Sequence, residues 1–353
     1  MNRPALTIAL FSFAMVSLLS LDARVAEARA DDAADCTKGQ GDTQIRGCSR
    51  IIKSRRLFGK PISKQRLAIT HSNRGLAYDK KGDYDRAIAD YDTAIGLNPK
   101  NAWAYKNRGA AYGNKGEYDR AIEDYNSAIK LNPKYTKAYS NRAIAYADKG
   151  DLDRAIEDYD TAIKLNPKQA NAYYNRGSAY DDKGEFDRAI QDYDKAIRLN
   201  PKDAWAYNNR GAAYRKKGDF DRAIQDYNKA IRLDPKDPDV YKNRGAAYGN
   251  KGEYDRAIAD YDEAIRLNPK IAIAYYNRGL AYGKKGEFDR AIADFDTAIK
   301  LNPKYTKAYS NRGTAYRKKG DKDRAIAEYR KALALNPSDE LAGENLKALG
   351  GTP

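Results

Sequence analysis

Residues 102–135 read AWAYKNRGAAYGNKGEYDRAIEDYNSAIKLNPKY, and the same 34-residue pattern recurs in phase along most of the chain. Its clearest marker is proline. Pro99, Pro133, Pro167, Pro201, Pro235, Pro269, Pro303 and Pro337 stand 34 residues apart without a slip. A fixed period of this size marks stacked supersecondary units, each of which buries its apolar face only against its neighbours. Eight such units fill 68–101, 102–135, 136–169, 170–203, 204–237, 238–271, 272–305 and 306–339. With Ala68 as position 1, each has an aromatic or His at position 4, Tyr at 11, Gly at 15, Ala at 20, Tyr or Phe at 24, Ala at 27 and Pro at 32. In the quoted unit these are Tyr105, Tyr112, Gly116, Ala121, Tyr125, Ala128 and Pro133. Position 8 is glycine in every unit except the third, where Ala143 replaces it.

Each unit predicts a helical hairpin. Apolar residues at 4, 8 and 11 have helical spacing, and the glycine at 15 suits a helix stop because it tolerates the left-handed backbone. A second helix then starts with acids such as Asp83 and Asp85 near the positive end of its dipole. It ends at Leu-Asn-Pro or Leu-Asp-Pro, since proline cannot bond back to the preceding turn. Small residues at 8, 20 and 27 let helix axes approach, and the large rings at 4, 11 and 24 fill the space between them.

The pattern resembles the tetratricopeptide repeat family, whose motif has an aromatic at 4, Gly or Ala at 8, Tyr at 11, Ala at 20, an aromatic at 24, Ala at 27 and Pro at 32. The resemblance covers 272 of 353 residues. It implies an all-α right-handed superhelical solenoid whose first helices line a concave groove, with on the order of one turn from eight units. One departure is the arginine at position 7 of every unit (Arg74, Arg108 and onward), where the family usually carries Leu. Pairing with the acid at position 23, such as Asp90 or Asp124, would make that position a salt-bridged edge.

The ends differ from the array. Residues 1–30 have the layout of a secretory signal: Arg3, an uncharged and largely apolar run from Ala5 to Leu21, and small-x-small sites after Ala28 or Ala30. The expectation is an exported, periplasmic or secreted protein with no transmembrane span in the mature chain; an uncleaved N-terminal membrane anchor is the alternative. Residues 31–67 form an N-terminal cap and basic linker. There Cys36 and Cys48, the only cysteines, would form a structural disulfide in an oxidising space. Ile45, Cys48, Ile51 and Ile52 match positions 21, 24, 27 and 28, so Asp42–Ser54 reads as a degenerate cap helix. At the other end, residues 340–353 comprise a capping helix, with Leu341, Leu346 and Leu349 covering the last apolar face, and a short tail.

Composition removes most enzyme classes. One His, two Cys and two Met leave little for a His-dependent catalyst or a transition-metal site. His71 takes the aromatic place at position 4, and there is no phosphate-binding loop after a strand and no nucleophile elbow. No catalysis, cofactor or metal is expected. The net charge of +16 biases encounters toward acidic partners. Export, and acids such as Asp79, Asp181 and Asp182 among the groove lysines, argue against a nucleic-acid track.

Function in such an array lives on residues that packing leaves free. At about 100° per residue, positions 2, 6, 9 and 13 lie opposite the packed stripe of the first helix. Position 6 is invariably asparagine: Asn73, Asn107, Asn141, Asn175, Asn209, Asn243, Asn277 and Asn311. Amides offer both donor and acceptor groups to the backbone of an extended peptide, though they serve equally well as bonds between stacked repeats. Position 2 holds both tryptophans, Trp103 and Trp205, the side chain most favoured as an interface anchor. Position 5 adds Tyr174 and Tyr276, for which lateral packing is the competing role. Position 9 never carries the Asn that chaperone-binding members use to grip a terminal carboxylate. These residues define a protein-protein interaction scaffold that binds peptide segments or partner proteins. End-to-end self-association, or charge-driven binding of envelope polyanions, is the alternative.

Overall fold

The computed structural model describes residues 31–352; the expected signal segment lies outside the described residues. The chain divides into two compact units, one ending at Pro167 and the other beginning at Lys168. In the first, α1 (31–38) and α2 (Gly41–Ser54) are followed by a two-stranded antiparallel ribbon, β1 (Arg56–Leu57) and β2 (Lys60–Pro61). Three helical hairpins complete it: α3 (Lys64–Lys80) with α4 (Tyr84–Leu97), α5 (Ala102–Asn114) with α6 (Tyr118–Leu131), and α7 (Thr136–Asp148) with α8 (Leu152–Leu165). The second unit holds five hairpins. They are α9 (Ala170–Asp182) and α10 (Phe186–Leu199), α11 (Ala204–Lys216) and α12 (Phe220–Leu233), α13 (Pro238–Asn250) and α14 (Tyr254–Leu267), α15 (Ala272–Lys284) and α16 (Phe288–Leu301), and α17 (Thr306–Lys318) and α18 (Lys322–Leu335). A last helix, α19 (Glu340–Ala348), packs on α18.

The repeat sequence explains each hairpin. The position-15 glycine adopts φ +77° at Gly82, which turns the chain between α3 and α4 where a side chain would be strained. Asp83 then caps α4 by accepting from the Arg86 amide. Alanines at 20 and 27 are fully buried, for example Ala121 and Ala128, and between them the Tyr125 ring packs against Gly109. A methyl on Gly109 would stand 2.9 Å from that ring and 3.0 Å from the Ala121 carbonyl oxygen, so one of them must shift to admit it; the third repeat carries Ala143 at this position. Within each unit, successive first helices touch one another.

The arginine at position 7 is the main polar fastener. Arg108 grips Asp124 through two parallel bonds, Nε to Oδ2 at 2.8 Å and Nη2 to Oδ1 at 2.6 Å, and its third nitrogen reaches back 2.5 Å to Asp92 of the preceding hairpin. Its guanidinium also lies between the Tyr105 and Tyr112 rings. Arg210 repeats the arrangement with Asp226 and Asp194. Burial pushes the Asp124, Asp226 and Asp260 carboxyls up in spite of their arginines. Asp90 is buried too, but hydrogen bonds from Arg74 and His71 outweigh the burial and hold it below the usual carboxylate range.

The cap helix imitates a missing second helix. Arg74 Nη1 donates to Ser49 Oγ at 3.1 Å, as Arg108 does to Asp92, and Lys81 reaches Asp42 at 2.6 Å, as Lys115 does to Asp85. In this register Ser49 stands at position 25 and Asp42 at position 18. A disulfide joins Cys36 to Cys48 and ties α1 to α2, with both sulfurs buried against Ile51. The β1–β2 ribbon is a departure from the all-helical expectation; it takes up the residues inserted between cap and array. At the far end Leu346 is buried and Leu349 packs beside it, but Leu341 is exposed and does not cover the last face.

Two outcomes are expected. Asp226→Ala leaves the half-buried Arg210 guanidinium with Asp194 as its one carboxylate partner and costs about 3 kcal/mol, whereas adding Arg210→Leu recovers most of the loss. Hydrogen exchange of α11 and α12 reads this locally, where a global melt of a repeat array would not. Reduction of the disulfide removes about 3 kcal/mol of loop constraint, so exchange rises in α1 and α2 and not in α9–α18.

Candidate functional site

The row of position-6 asparagines follows the first helices, and the structure divides it into two groups. In the first group the amide nitrogen is already engaged. Asn209 donates to the Tyr174 hydroxyl at 2.8 Å, Asn311 to the Tyr276 hydroxyl at 3.1 Å, and Asn243 to the Asn208 side-chain oxygen at 3.1 Å. Each acceptor sits at position 5 of the preceding hairpin, so these amides are rungs of the stack. Asn107 is committed at both ends: its nitrogen donates to the Trp103 carbonyl and its oxygen accepts from Lys106. In the second group, Asn73, Asn175 and Asn277 are half-buried and form no side-chain hydrogen bond among the described residues. Asn141 lies beside the Tyr125 hydroxyl on the wall of a small cleft.

Tyr174 and Tyr276 are therefore built into the stack. Tyr174 packs at 5.8 Å from the Tyr193 ring and Tyr276 at 5.8 Å from Phe295, with Tyr305 on its other side. The two tryptophans differ as well. Trp103 is half-buried and meets the Tyr91 ring edge-on at 6.3 Å, so it fastens the second hairpin to the first. Trp205 is 59% exposed, and Ile273 and Ile69 at the same position are 45% and 48% exposed. Position 2 thus presents large apolar side chains to solvent wherever they do not find a neighbouring ring.

Among the described residues, two of the clefts open between consecutive first helices. One, in the first unit, is bounded by Gly113, Asn114, Tyr125, Asn141, Ile144 and Asp148 and measures about 190 Å³. The other, in the second unit, lies between α15 and α17 over Phe295 and measures about 550 Å³. The periodicity did not single these out, since it averages over the glycines at position 12 that create them. Departures from the repeat pattern are the signal that would have found them.

Among the described residues the one histidine is taken up by packing. His71 Nδ1 bonds Asp90 at 2.8 Å, and the same carboxylate is gripped by Arg74, which makes the imidazole a packing element. Among the described residues no cluster of three His, Cys, Asp or Glu could hold a metal ion. No described helix is long and apolar enough to cross a membrane. Burial pushes the Tyr227 hydroxyl up to about 12.

A family model described as TPR repeat matches residues 75–116, 211–252 and 250–286. Models described as tetratricopeptide repeat match residues 140–204 and 276–340, 102–135, and 192–225. No curated protein matches the chain. Among solved structures, the APC/C hetero-tetramer Cut9-Hcn1 aligns with a TM-score of 0.57 at 20% identity over 87% of this chain; the match spans 59% of that chain's length. The C-terminal part of a TPR repeat-containing protein from Cytophaga hutchinsonii aligns at 0.55 and 25% identity, covering 67% of this chain and 98% of that one. A tetratricopeptide repeat protein from Parabacteroides merdae aligns at 0.54 and 23%, covering 80% and 99%. The likenesses to Cut9-Hcn1 and to the Parabacteroides protein speak for the fold alone.

The exposure contrast gives a direct check. In a Trp103→Phe variant the remaining Trp205 is quenched by acrylamide at least about twice as strongly as Trp103 is in a Trp205→Phe variant, because a solvent-facing indole is open to collision and a packed one is not.

Proposed function

Because the chain belongs to the tetratricopeptide repeat family, we propose that it is a non-enzymatic scaffold that holds extended peptide segments or partner proteins against the surface of its first helices. The fold is typical of such scaffolds. The observation that carries the reading is the company kept on that surface in the second unit. There the exposed Trp205 and Ile273 share it with Asn175 and Asn277, whose amides no described residue engages. An apolar anchor beside a free donor-acceptor pair is what main-chain recognition of a peptide requires. The engaged amides Asn209 and Asn243 then belong to the support and not to the ligand site.

We further infer that the protein works outside the cytoplasm, in the periplasm or as a secreted protein. The layout of residues 1–30 supports this, and so does a buried disulfide in a chain with no other cysteine.

Capture of arrayed peptides by the immobilised protein tests the function. Asn175→Ala with Asn277→Ala weakens capture about ten-fold without changing helicity, whereas Asn209→Ala lowers stability more than it lowers capture. Capture that ignores the first pair of substitutions and vanishes in moderate salt would replace this reading with charge-driven binding of polyanions.

A further inference from the structure

Repeats this alike bind differently only where one of them departs from the pattern, and one such departure in the second unit lies between α15 and α17. Position 12 of the first helix is Asp, Ala or Arg in five repeats and glycine at Gly113, Gly249 and Gly283. Below this position lies the ring at position 24 of the same hairpin. At Gly113 and Gly249 the site of an added methyl is 4.0 Å from the Tyr125 and Tyr261 hydroxyls. At Gly283 nothing lies within 4 Å, because the ring there is Phe295, the one position-24 residue in the array without a hydroxyl. The resulting pit of about 550 Å³ is walled by Leu280, Phe288, Phe295 and Ala315. That size falls within the roughly 300–1,000 Å³ of pockets that enclose a ligand group.

Its rim is cationic. Lys284 and Lys318 line the opening, and neither forms an ion pair among the described residues. Neither α15 nor α17 contains an acidic residue, and none lines the pit. Lys285 on the same wall shows the contrast, since it is held by Asp255 at 2.6 Å and Glu287 at 2.7 Å. In the corresponding cleft of the first unit, Asn114 and Asp148 stand where these two lysines do, over Tyr125. On the pit's edge Asn311 has spent its amide nitrogen on Tyr276 and the Lys307 carbonyl, which leaves its oxygen to accept from a ligand backbone.

We propose that this pit receives one large apolar side chain, leucine or phenylalanine in size, from an acidic peptide whose neighbouring carboxylates meet Lys284 and Lys318. The inference rests on the reading of the first helices as the ligand surface and adds to it a register and a ligand chemistry. An apolar floor gives the side chain a dry seat, and two unpaired ammonium groups at its mouth favour anions and repel basic peptides. The first unit's cleft, smaller and with a carboxylate in place of an ammonium, rejects the same ligand.

The test uses fluorescence anisotropy of a fluorescein-labelled peptide carrying one phenylalanine between two pairs of glutamates, added to the full protein. Phe295→Tyr and Gly283→Ala install residues that other repeats already carry at those positions, so the fold is retained while the pit is filled. Together they weaken binding about ten-fold, as a filled apolar subsite does. Lys284→Asn with Lys318→Asp also weakens it about ten-fold and removes the preference for glutamate over glutamine in the probe. Binding unchanged by Phe295→Tyr and Gly283→Ala, yet weakened by Asn175→Ala with Asn277→Ala, overturns the pit and leaves the groove reading standing. Failure of the probe while neutral arrayed peptides are captured does the same. If no peptide of any composition binds, the groove reading fails and the pit falls with it.

Discussion

A guanidinium held between two hairpins is the constraint on which the rest of this structure depends. Arginine at position 7 clamps the carboxylate at position 23 of its own hairpin with two parallel bonds and sends its remaining nitrogen to position 25 of the hairpin before, as at Arg108, Asp124 and Asp92. Only arginine offers enough donors in a fixed fork to make both connections at once. The energetic gain of such half-buried pairs over a well-packed leucine is small, since desolvation consumes most of it. What the pair secures is register: a hairpin shifted along its neighbour would leave a charge buried without its partner. The cap helix obeys the same rule, with Ser49 supplying the acceptor for Arg74.

This division of labour frees the first helices. Polar fastening is done by position 7 and apolar packing by positions 4, 8, 11, 20, 24 and 27, so positions 2, 6, 9, 12 and 13 carry no structural duty common to all repeats. Some of them are nevertheless drafted into the stack where a neighbour allows it. Tyr174, Tyr276 and Asn208 at position 5 recruit the following asparagine, and Trp103 finds the Tyr91 ring. Where no such neighbour exists the residue stays available, as with Trp205 and Asn277. In an array this regular, the proposed specificity resides in single departures such as Phe295.

Most of the fold was legible because its determinants are periodic. Proline every 34 residues, glycine at the turn and small residues at three contact positions each constrain the backbone directly, and the match of Cys48 to position 24 placed the cap helix in register. The pairing of Arg74 with Asp90 was also readable, since a charge on a packed face requires a partner. The ligand surface was less so. Helical phase assigns position 6 to the open face but cannot say whether an amide there bonds outward or to the hairpin before, because that depends on which residue occupies position 5 one repeat earlier. The same phase makes Trp103 and Trp205 equivalent, yet one meets a ring and the other meets water. The β1–β2 ribbon escaped because two-residue strands leave no pattern to read.

In the proposed scaffold, the Arg-fastened lattice leaves the first helices as the recognition surface. Photo-crosslinking of a bound, diazirine-bearing peptide, mapped by mass spectrometry, locates that surface. Crosslinks are expected only on first helices such as Ala204–Lys216 and Ala272–Lys284, with Trp205 among the labelled residues. Crosslinks concentrated on second helices such as Phe220–Leu233, or on the terminal helices alone, would contradict it.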